Sequence, residues 1–344
     1  MKIAVISSSV MAVGAGGLSG YGGLEQIAWQ TAKGLAKMGH EVSLVAPEGS
    51  TCPGVTVVPC GPAGQWDERH AFRTYAEHLL TVDCVIDNSW NKYALSLRQT
   101  GQLKAPVLCV MHAPIPGMLQ SLPPVDKPCF VCISHDQAAH FDALFNMRPE
   151  VCHNGVCPQF YKDLKIGRSD RFLFLARFSR IKGATIAQDV CKAAGVGLDL
   201  IGDTTITGEP DYLAECVAKA DGQQIRIVGP ATRTECVHWF SQSRALLHLT
   251  KYFREPYGLS PVEAQLCGNG VLAWDFGAMR ETVKHGETGF LVRSEQEAID
   301  IIKDGALDRL SRSRCREWAE QFSVERMCRR YEELCQKALE GGGW

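Results

Sequence analysis

The apolar stretch Arg171-Phe172-Leu173-Phe174-Leu175-Ala176 decides how this 344-residue chain is organised, because it starts a second series of strands and helices. A helical segment follows at residues 182–194, and an apolar strand follows at residues 198–202. Three more strands are predicted at residues 225–228, 245–249 and 270–274. Strands that alternate with helices form parallel sheets with helical crossovers, so this half predicts one doubly wound α/β unit.

The first half of the chain has the same alternation. It begins with a strand at Lys2–Ser8, a helix at Leu24–Met38 and a strand at Glu41–Ala46. The further strands of this half are predicted at Thr56–Pro59, Cys84–Asp87, Pro106–Met111 and Cys129–Ile133. Between the two halves, Val151–Lys165 is irregular and contains an Asn-Gly pair and a proline, which predicts a linker.

The two predicted units determine where a function should be sought. Parallel sheets bind ligands at the carboxyl ends of their strands. We therefore expect two Rossmann-like domains that face a cleft, with functional residues in the loops after the strands of both halves. A last helix at Val324–Leu339 carries one apolar stripe, so we expect it to pack on another part of the protein.

The composition excludes several classes of protein. The net charge is −2 and no long basic run is present, which gives little support to nucleic-acid binding. The apolar start is too short for a signal peptide, and no uncharged stretch reaches the roughly 18 apolar residues of a spanning helix. The sequence therefore predicts a soluble, cytoplasmic protein and leaves peripheral membrane contact open.

The fifteen cysteines are scattered along the chain and odd in number, which argues against a disulfide framework. Cys129 and Cys132, the one close pair, fall on a predicted strand and point to opposite faces, which is poor geometry for a metal. The favoured interpretation is reduced, buried thiols that act as small hydrophobic side chains.

The most informative segment is Arg254–Ala264, in which Glu255 and Glu263 stand eight positions apart across a loop that enters a helix. The residues Ser260-Pro261-Val262-Glu263 predict a capping box with proline in the first helical position, which gives Glu263 a structural role. Gly258 places backbone N–H groups near a helix start, a natural anion site. A solvated carboxylate and a functional one both fit Glu255.

Two basic residues, Arg177 and Lys182, flank a turn between a strand and a helix. A solvated turn is one interpretation. However, an arginine that binds bidentately and a lysine that acts as a point charge suit a diphosphate, and we favour this second interpretation.

The first strand-to-helix loop contains Gly22 and Gly23, which indicate either a flexible loop or a close backbone approach to a phosphate or sugar. The run Gly14–Gly20 before them lacks the glycine spacing of a dinucleotide site, so NAD binding is disfavoured.

His112 ends a predicted strand on the side where ligands bind, although a lone histidine is more often structural. The other nine histidines have no such context. Asp87-Asn88-Ser89-Trp90 also ends a strand, and this segment fits either contact with a substrate or simple packing of Trp90.

The Arg254–Ala264 segment resembles the Glu-x7-Glu signature of the retaining glycosyltransferases of family 4, which have the GT-B fold. Other parts of the chain match the family in the correct order. These parts are Tyr21–Glu25, Gly39–Val42, Asn154–Val156, Phe174–Gly183, Cys267–Ala273, Gly277, Glu281 and Gly286–Val292.

The resemblance implies a GT-B arrangement with an acceptor domain at 1–156, a donor domain at 168–322 and a helix at 323–344 that packs back on the first domain. It also implies roles for the candidate residues. Glu255 and His112 would act at the reacting sugar. Arg177 and Lys182 would hold the diphosphate of the donor, and Glu263 would bind its ribose. The full set of donor-binding residues would be Arg177, Lys182, Gly22, Gly23, Gly258, Leu259 and Glu263.

The implied activity is retaining transfer of a sugar from a nucleotide-diphosphate-sugar to an unidentified acceptor, either a saccharide, a lipid-linked molecule or a small molecule. No cofactor is expected, and no metal, since the chain has no Asp-x-Asp pair to hold one against the diphosphate. A sugar phosphorylase, a nucleotide-sugar epimerase and a non-catalytic nucleotide-sugar-binding protein remain alternatives on the same fold.

Overall fold

The computed structural model of the protein describes residues 1–14, 22–114, 128–146, 148–205, 208–341 and 343–344. These residues form two compact units. The first unit consists of Met1–Gly155 and Val324–Trp344, and the second consists of Val156–Ser323. The C-terminal segment therefore belongs to the first unit, although the second unit precedes it in the chain.

The first unit contains a parallel sheet of seven strands in the order β3-β2-β1-β4-β5-β6-β7. Its strands are β1 Lys2–Ile6, β2 Glu41–Ala46, β3 Thr56–Pro59, β4 Cys84–Asp87, β5 Val107–Met111, β6 Phe130–Cys132 and β7 Glu150–Val151. Its helices are α1 Gly23–Lys37, α2 Glu68–Leu79, α3 Tyr93–Gln99, α4 His135–Phe145 and α12 Val324–Leu339. The strand order reverses between β1 and β4, so ligands are expected at the carboxyl ends of these strands.

Helix α12 packs against α1. Its apolar stripe is buried and consists of Met327, Cys328, Tyr331, Leu334, Cys335 and Ala338. Gly34 of α1 allows the close approach, since a Cβ atom at this position would lie 2.3 Å from Sγ of Cys328. The stripe that the sequence predicted is therefore the face that attaches this helix to the first unit.

The second unit contains a parallel sheet of six strands in the order β10-β9-β8-β11-β12-β13. Its strands are β8 Phe172–Leu175, β9 Leu198–Ile201, β10 Ile225–Gly229, β11 Leu246–His248, β12 Val271–Trp274 and β13 Gly289–Val292. Its helices are α5 Ala184–Ala194, α6 Pro210–Lys219, α7 Arg233–Gln242, α8 Leu259–Leu266, α9 Met279–Thr282, α10 Glu295–Lys303 and α11 Arg312–Ala319, with 3-10 turns at Arg180–Lys182, Ala306–Arg309 and Glu320–Phe322. Here the order reverses between β8 and β11.

The predicted strands and the helix predicted at residues 182–194 agree with the observed elements to within two residues at each end, but that helix does not begin at Lys182. A 3-10 turn ends at Lys182, and α5 begins at Ala184. Gly183 separates them with a φ of 74°, and a Cβ atom there would lie 2.2 Å from the backbone oxygen of Leu249. The close approach of β11 to this turn therefore requires glycine and breaks the helix.

The cysteines and the helices agree with two further expectations. None of the fifteen cysteines, all of which lie in the described residues, forms a disulfide, and fourteen of them are buried. Among the described residues, no helix combines the length and the apolar character needed to cross a membrane.

Candidate functional site

Glu255 lies in the loop that follows β11 in the second unit, and its side chain is buried. The ammonium group of Lys182 donates a hydrogen bond to Oε2 of Glu255 at 2.5 Å. Burial alone would raise the pKa of this carboxyl, but Lys182 and His248 oppose burial and hold the pKa at about 2. Glu255 is therefore an ionised carboxylate at neutral pH, and the solvated interpretation of this residue is wrong.

His248 is the last residue of β11, and the sequence pattern gives no sign of a functional role for it. Its Nε2 atom lies 3.7 Å from Oε2 of Glu255, which is too far for a hydrogen bond. The imidazole is buried, with 6% of its surface exposed. The expectation that His112 alone among the histidines ends a strand at a ligand-binding edge is wrong, because His248 also does so.

The N-terminal end of α8 follows Glu255 closely. Gly258 is the N-cap, with a φ of 81°, and Leu259 is the first helical residue. A Cβ atom at Gly258 would lie 2.7 Å from Cε of Met279, so both the conformation and the packing favour glycine. Among the described residues, no side chain caps this helix, which leaves its first N–H groups available for an anion.

The capping box predicted at Ser260 is wrong. The helix begins before Ser260, because the left-handed conformation of Gly258 already turns the chain into α8. The hydroxyl of Ser260 instead donates to the backbone oxygen of Leu175 at 3.3 Å, which connects α8 to the end of β8. Glu263 therefore has no capping role.

Glu263 instead lies beside Tyr161 and Arg233. Burial raises the pKa of Glu263, and the charge of Arg233 and a hydrogen bond with Tyr161 offset only part of that effect. Arg233 also donates to the hydroxyl oxygen of Tyr161 at 3.3 Å. Tyr161 falls in the predicted linker and gave no functional signal in the sequence, yet it orients the carboxylate of Glu263.

Arg177 and Lys182 both follow β8, and β8 is the neighbour of β11 in the sheet. The end of β9 approaches Arg177 closely, since a Cβ atom at Gly202 would lie 1.9 Å from the backbone oxygen of Ala176 and 3.5 Å from Cα of Arg177. The second unit thus places Arg177 and Lys182 on one side of the strand reversal and Glu255 on the other. This is the edge at which doubly wound sheets bind ligands.

In the first unit, His112 follows β5 and is held on two sides. Its Nε2 atom lies 2.9 Å from Oδ1 of Asn88. The side chain of Gln137 donates to the backbone oxygens on either side of His112, those of Met111 at 3.0 Å and Ala113 at 2.7 Å. Burial and the nearby charge of Lys92 lower the pKa of His112 to about 3. His112 is therefore a neutral, oriented hydrogen-bonding group at physiological pH.

Two charged residues hold the segment after β4 in place. The buried ammonium group of Lys92 donates to the backbone oxygens of Asp87, at 3.1 Å, and Ser89. The carboxylate of Glu68 accepts from the backbone N–H groups of Trp90, at 3.0 Å, and Asn91, at 2.8 Å. Trp90 is 39% exposed, so simple packing does not account for it.

The loop before α1 contains Gly22, and Gly23 is the first residue of the helix. A Cβ atom at Gly22 would lie 2.8 Å from Oε2 of Glu25, a buried carboxylate that also accepts a hydrogen bond from the hydroxyl of Ser8. A carboxylate in this place favours a hydroxyl-bearing ligand over a phosphate. Residues 15–21, which include most of the glycine-rich run and Tyr21, lie outside the described residues.

Two family models match the chain. The family described as Glycosyl transferases group 1 matches residues 159–322, and the family described as Glycosyltransferase Family 4 matches residues 21–160. The two matches are adjacent and together extend across most of both units.

Individual proteins and solved structures are similar over nearly the whole chain. D-inositol 3-phosphate glycosyltransferase 1 of Catenulispora acidiphila is 25% identical, over 86% of this chain and 85% of that protein. The crystal structure of AviGT4, a glycosyltransferase involved in avilamycin A biosynthesis, gives a TM-score of 0.76 at 23% identity, over 99% of this chain and 98% of that one. Anabaena Alr3699/HepE in complex with UDP-glucose gives a TM-score of 0.75 at 19% identity, over 98% and 100%.

Proposed function

The chain is a glycosyltransferase of the family 4 type with the two-domain GT-B fold, and we propose that its second unit binds a nucleotide-diphosphate-sugar as the donor. The observation that carries this proposal is the ion pair of half-buried Lys182 with buried Glu255, beside the uncapped start of α8. These groups offer a cation, a helix N-terminus and an anion within one short stretch of the sheet edge.

In this proposal the donor diphosphate binds Lys182, Arg177 and the first N–H groups of α8. During transfer the bond between the anomeric carbon and the phosphate oxygen breaks, the acceptor hydroxyl oxygen forms the new bond to that carbon, and the hydroxyl proton passes to the released nucleoside diphosphate. The electron pair leaves with the nucleoside diphosphate, so negative charge develops on the phosphate oxygens. Fixed positive groups stabilise this charge without reorganisation, which is often the largest single contribution to catalysis.

Glu255 acts on the sugar of the donor. An ionised carboxylate accepts hydrogen bonds from sugar hydroxyls and fixes the orientation of the ring, which brings the anomeric carbon to the acceptor. We assign no covalent nucleophile to Glu255. Retention of the anomeric configuration is proposed from the similarity to retaining enzymes with the Glu-x7-Glu signature.

Glu263 is assigned to the ribose of the donor. The raised pKa of its carboxyl, the bond to Tyr161 and the start of α8 nearby support a hydrogen-bonding role toward neutral hydroxyl groups. The base of the donor is tested first as uracil, because Anabaena Alr3699/HepE was solved with UDP-glucose.

The acceptor is assigned to the first unit, which contains His112. Gly22 and Gly23, expected from the resemblance to bind the donor, are proposed here to contact the acceptor instead, because the carboxylate of Glu25 lies beside Gly22. A neutral histidine and the carboxylate of Glu25 beside Gly22 suit a sugar or another polyhydroxylated acceptor. The relative from Catenulispora acidiphila is named for an inositol phosphate acceptor, which is of this chemical kind. The matches to glycosyltransferase families favour transfer over a phosphorylase, an epimerase or a non-catalytic binding protein.

We further propose that transfer needs no divalent metal. Lys182, Arg177 and the start of α8 supply positive charge to the diphosphate, and the sequence has no Asp-x-Asp pair. After exhaustive chelation with EDTA, the initial rate should stay unchanged. A rate that collapses and returns with magnesium or manganese would contradict this part of the proposal.

A thermal-shift panel with UDP, GDP, ADP and their glucose conjugates tests the donor assignment. A ligand that binds the folded state raises the melting temperature by mass action, so one nucleotide series should stabilise the protein clearly. The matched control is Lys182→Met, which keeps the length of the side chain without its charge and should lose the shift. Equal, negligible shifts for all nucleotides would refute the donor assignment.

A further inference from the structure

His248 holds a buried polar atom that the proposed function leaves unexplained. Its Nε2 atom is fully buried and makes no hydrogen bond to any described residue. An unpaired polar atom in a protein interior keeps its desolvation cost without a compensating bond, and such atoms are uncommon in native structures. Oε2 of Glu255, the same atom to which Lys182 bonds, lies 3.7 Å from this nitrogen.

Donor binding creates a difficulty for Glu255. In the structure the buried carboxylate is neutralised by Lys182. The proposed function also requires Lys182 to bind the diphosphate. A buried carboxylate that loses its cation is strongly destabilising, because its desolvation is no longer compensated. The sugar hydroxyls of a full donor carry no positive charge and are absent when UDP alone is bound, so the UDP complex needs a second partner for Glu255.

We propose that His248 is a positioning residue that bonds to Glu255 through Nε2–H when Lys182 turns to the donor diphosphate. This inference rests on the proposed function of Lys182. A shift of less than about 1 Å would bring 3.7 Å within the usual range of an N–H···O hydrogen bond.

The backbone of Glu255 is held in place, so the shift that closes the gap to His248 involves the side chains. The N–H of Ala278 donates to the backbone oxygen of Glu255 at 3.0 Å. A Cβ atom at Gly277 would lie 2.6 Å from the same oxygen, so this segment is packed tightly against Glu255. Lys182, from the 3-10 turn before α5, and His248, from β11, are the charged or titratable partners the structure gives this carboxylate.

A double-mutant cycle on nucleotide affinity tests the inference without any assay of transfer. His248→Phe keeps a buried ring but has no N–H, so the affinity for UDP should fall about tenfold or more. In the Glu255→Gln background no charge is left to compensate, and His248→Phe should have no further effect. His248→Gln keeps an N–H donor and should retain most of the affinity. His238→Phe, at an exposed position in the same unit, is the matched control.

The outcomes separate the inference from the proposed function. An equal loss of UDP affinity in both backgrounds, or no loss in either, overturns the role of His248 while leaving the donor site in place. No binding of UDP, GDP or ADP to the unsubstituted protein overturns both.

A second measurement covers the case in which His248→Phe does not fold. In the wild-type protein labelled with 15N in its histidines, the Nε2 resonance of His248 should shift on addition of UDP, because a new hydrogen bond to a carboxylate forms. His248→Gln identifies the resonance by its disappearance. An unshifted resonance at saturating UDP would contradict the inference.

Discussion

At the carboxyl edge of the second sheet, half-buried Lys182 and buried Glu255 form an ion pair, whereas at the same edge of the first sheet the charge of Lys92 is bonded to backbone oxygens. The histidines differ as well. His248 has an unbonded Nε2 among the described residues, whereas Nε2 of His112 is bonded to Asn88. Two sheets with the same architecture thus differ in charge at this edge: the edge of the second carries an ion pair, and the edge of the first presents the neutral His112.

The largest effect is expected at the charged edge. Glu255→Ala should reduce transfer at least roughly a hundredfold, because the donor sugar loses the group that orients it. Circular dichroism should show a folded protein, so the loss is measured as kcat per folded molecule. Near-wild-type turnover of Glu255→Ala would show that this edge does not act on the sugar.

A smaller effect is expected at the neutral edge. Asn88→Leu removes the hydrogen bond that orients His112, so transfer should fall about tenfold. Asn88→Asp keeps an acceptor oxygen and should recover most of the rate. If Asn88→Leu and Asn88→Asp lose the same amount, orientation of His112 by this bond is not what matters.

His112 at the neutral edge and Glu255 at the charged edge should lower the free energy of unfolding in different ranges of acid pH. The pKa of His112 is lowered from 6.5 to about 3. Between these pH values the unfolded protein binds a proton at this residue and the folded protein does not, so the free energy of unfolding falls as pH drops from 6.5 toward 3. The pKa of Glu255 is lowered from 4.5 to about 2, so its contribution is present above pH 4.5 and is lost as pH falls toward 2.

Urea unfolding curves from pH 7 to pH 3 measure the free energy of unfolding in both pH ranges. His112→Asn should flatten the loss of unfolding free energy between pH 6.5 and 4.5, and Glu255→Gln should flatten it only below pH 4.5. Identical pH profiles for the wild type and both variants would show that neither group is perturbed as described.

Most of the fold could be predicted from the sequence, because buried parallel strands are continuous apolar runs that alternate with helical segments. The predictions failed where long-range packing decides the local structure. Gly183 ends a helical turn because β11 passes close to it, and Gly258 starts α8 before the serine that the capping pattern favoured. The sequence pattern does not predict strand β13, since four residues give little periodicity.

The candidate site was predictable only in part for the same physical reason. Spacing identified Glu255 and Lys182 separately, but the direct bond between them depends on the pairing of β8 with β11. The sequence gives no functional signal for His248 or Tyr161, because His248 lies in an apolar strand and Tyr161 in an irregular segment. Their partners, Glu255 and Glu263, are remote in sequence, and the tertiary fold brings each pair together.

The most direct test of the central claim is the dissociation constant of UDP, measured by calorimetry for the wild type and for Lys182→Ala. The exposed Lys303→Ala in the same unit is the matched control. Lys182→Ala should weaken binding by about tenfold or more, and the difference should grow at low salt because the interaction is partly Coulombic. Lys303→Ala should bind as the wild type does. An unchanged dissociation constant for Lys182→Ala at every salt concentration would contradict the account.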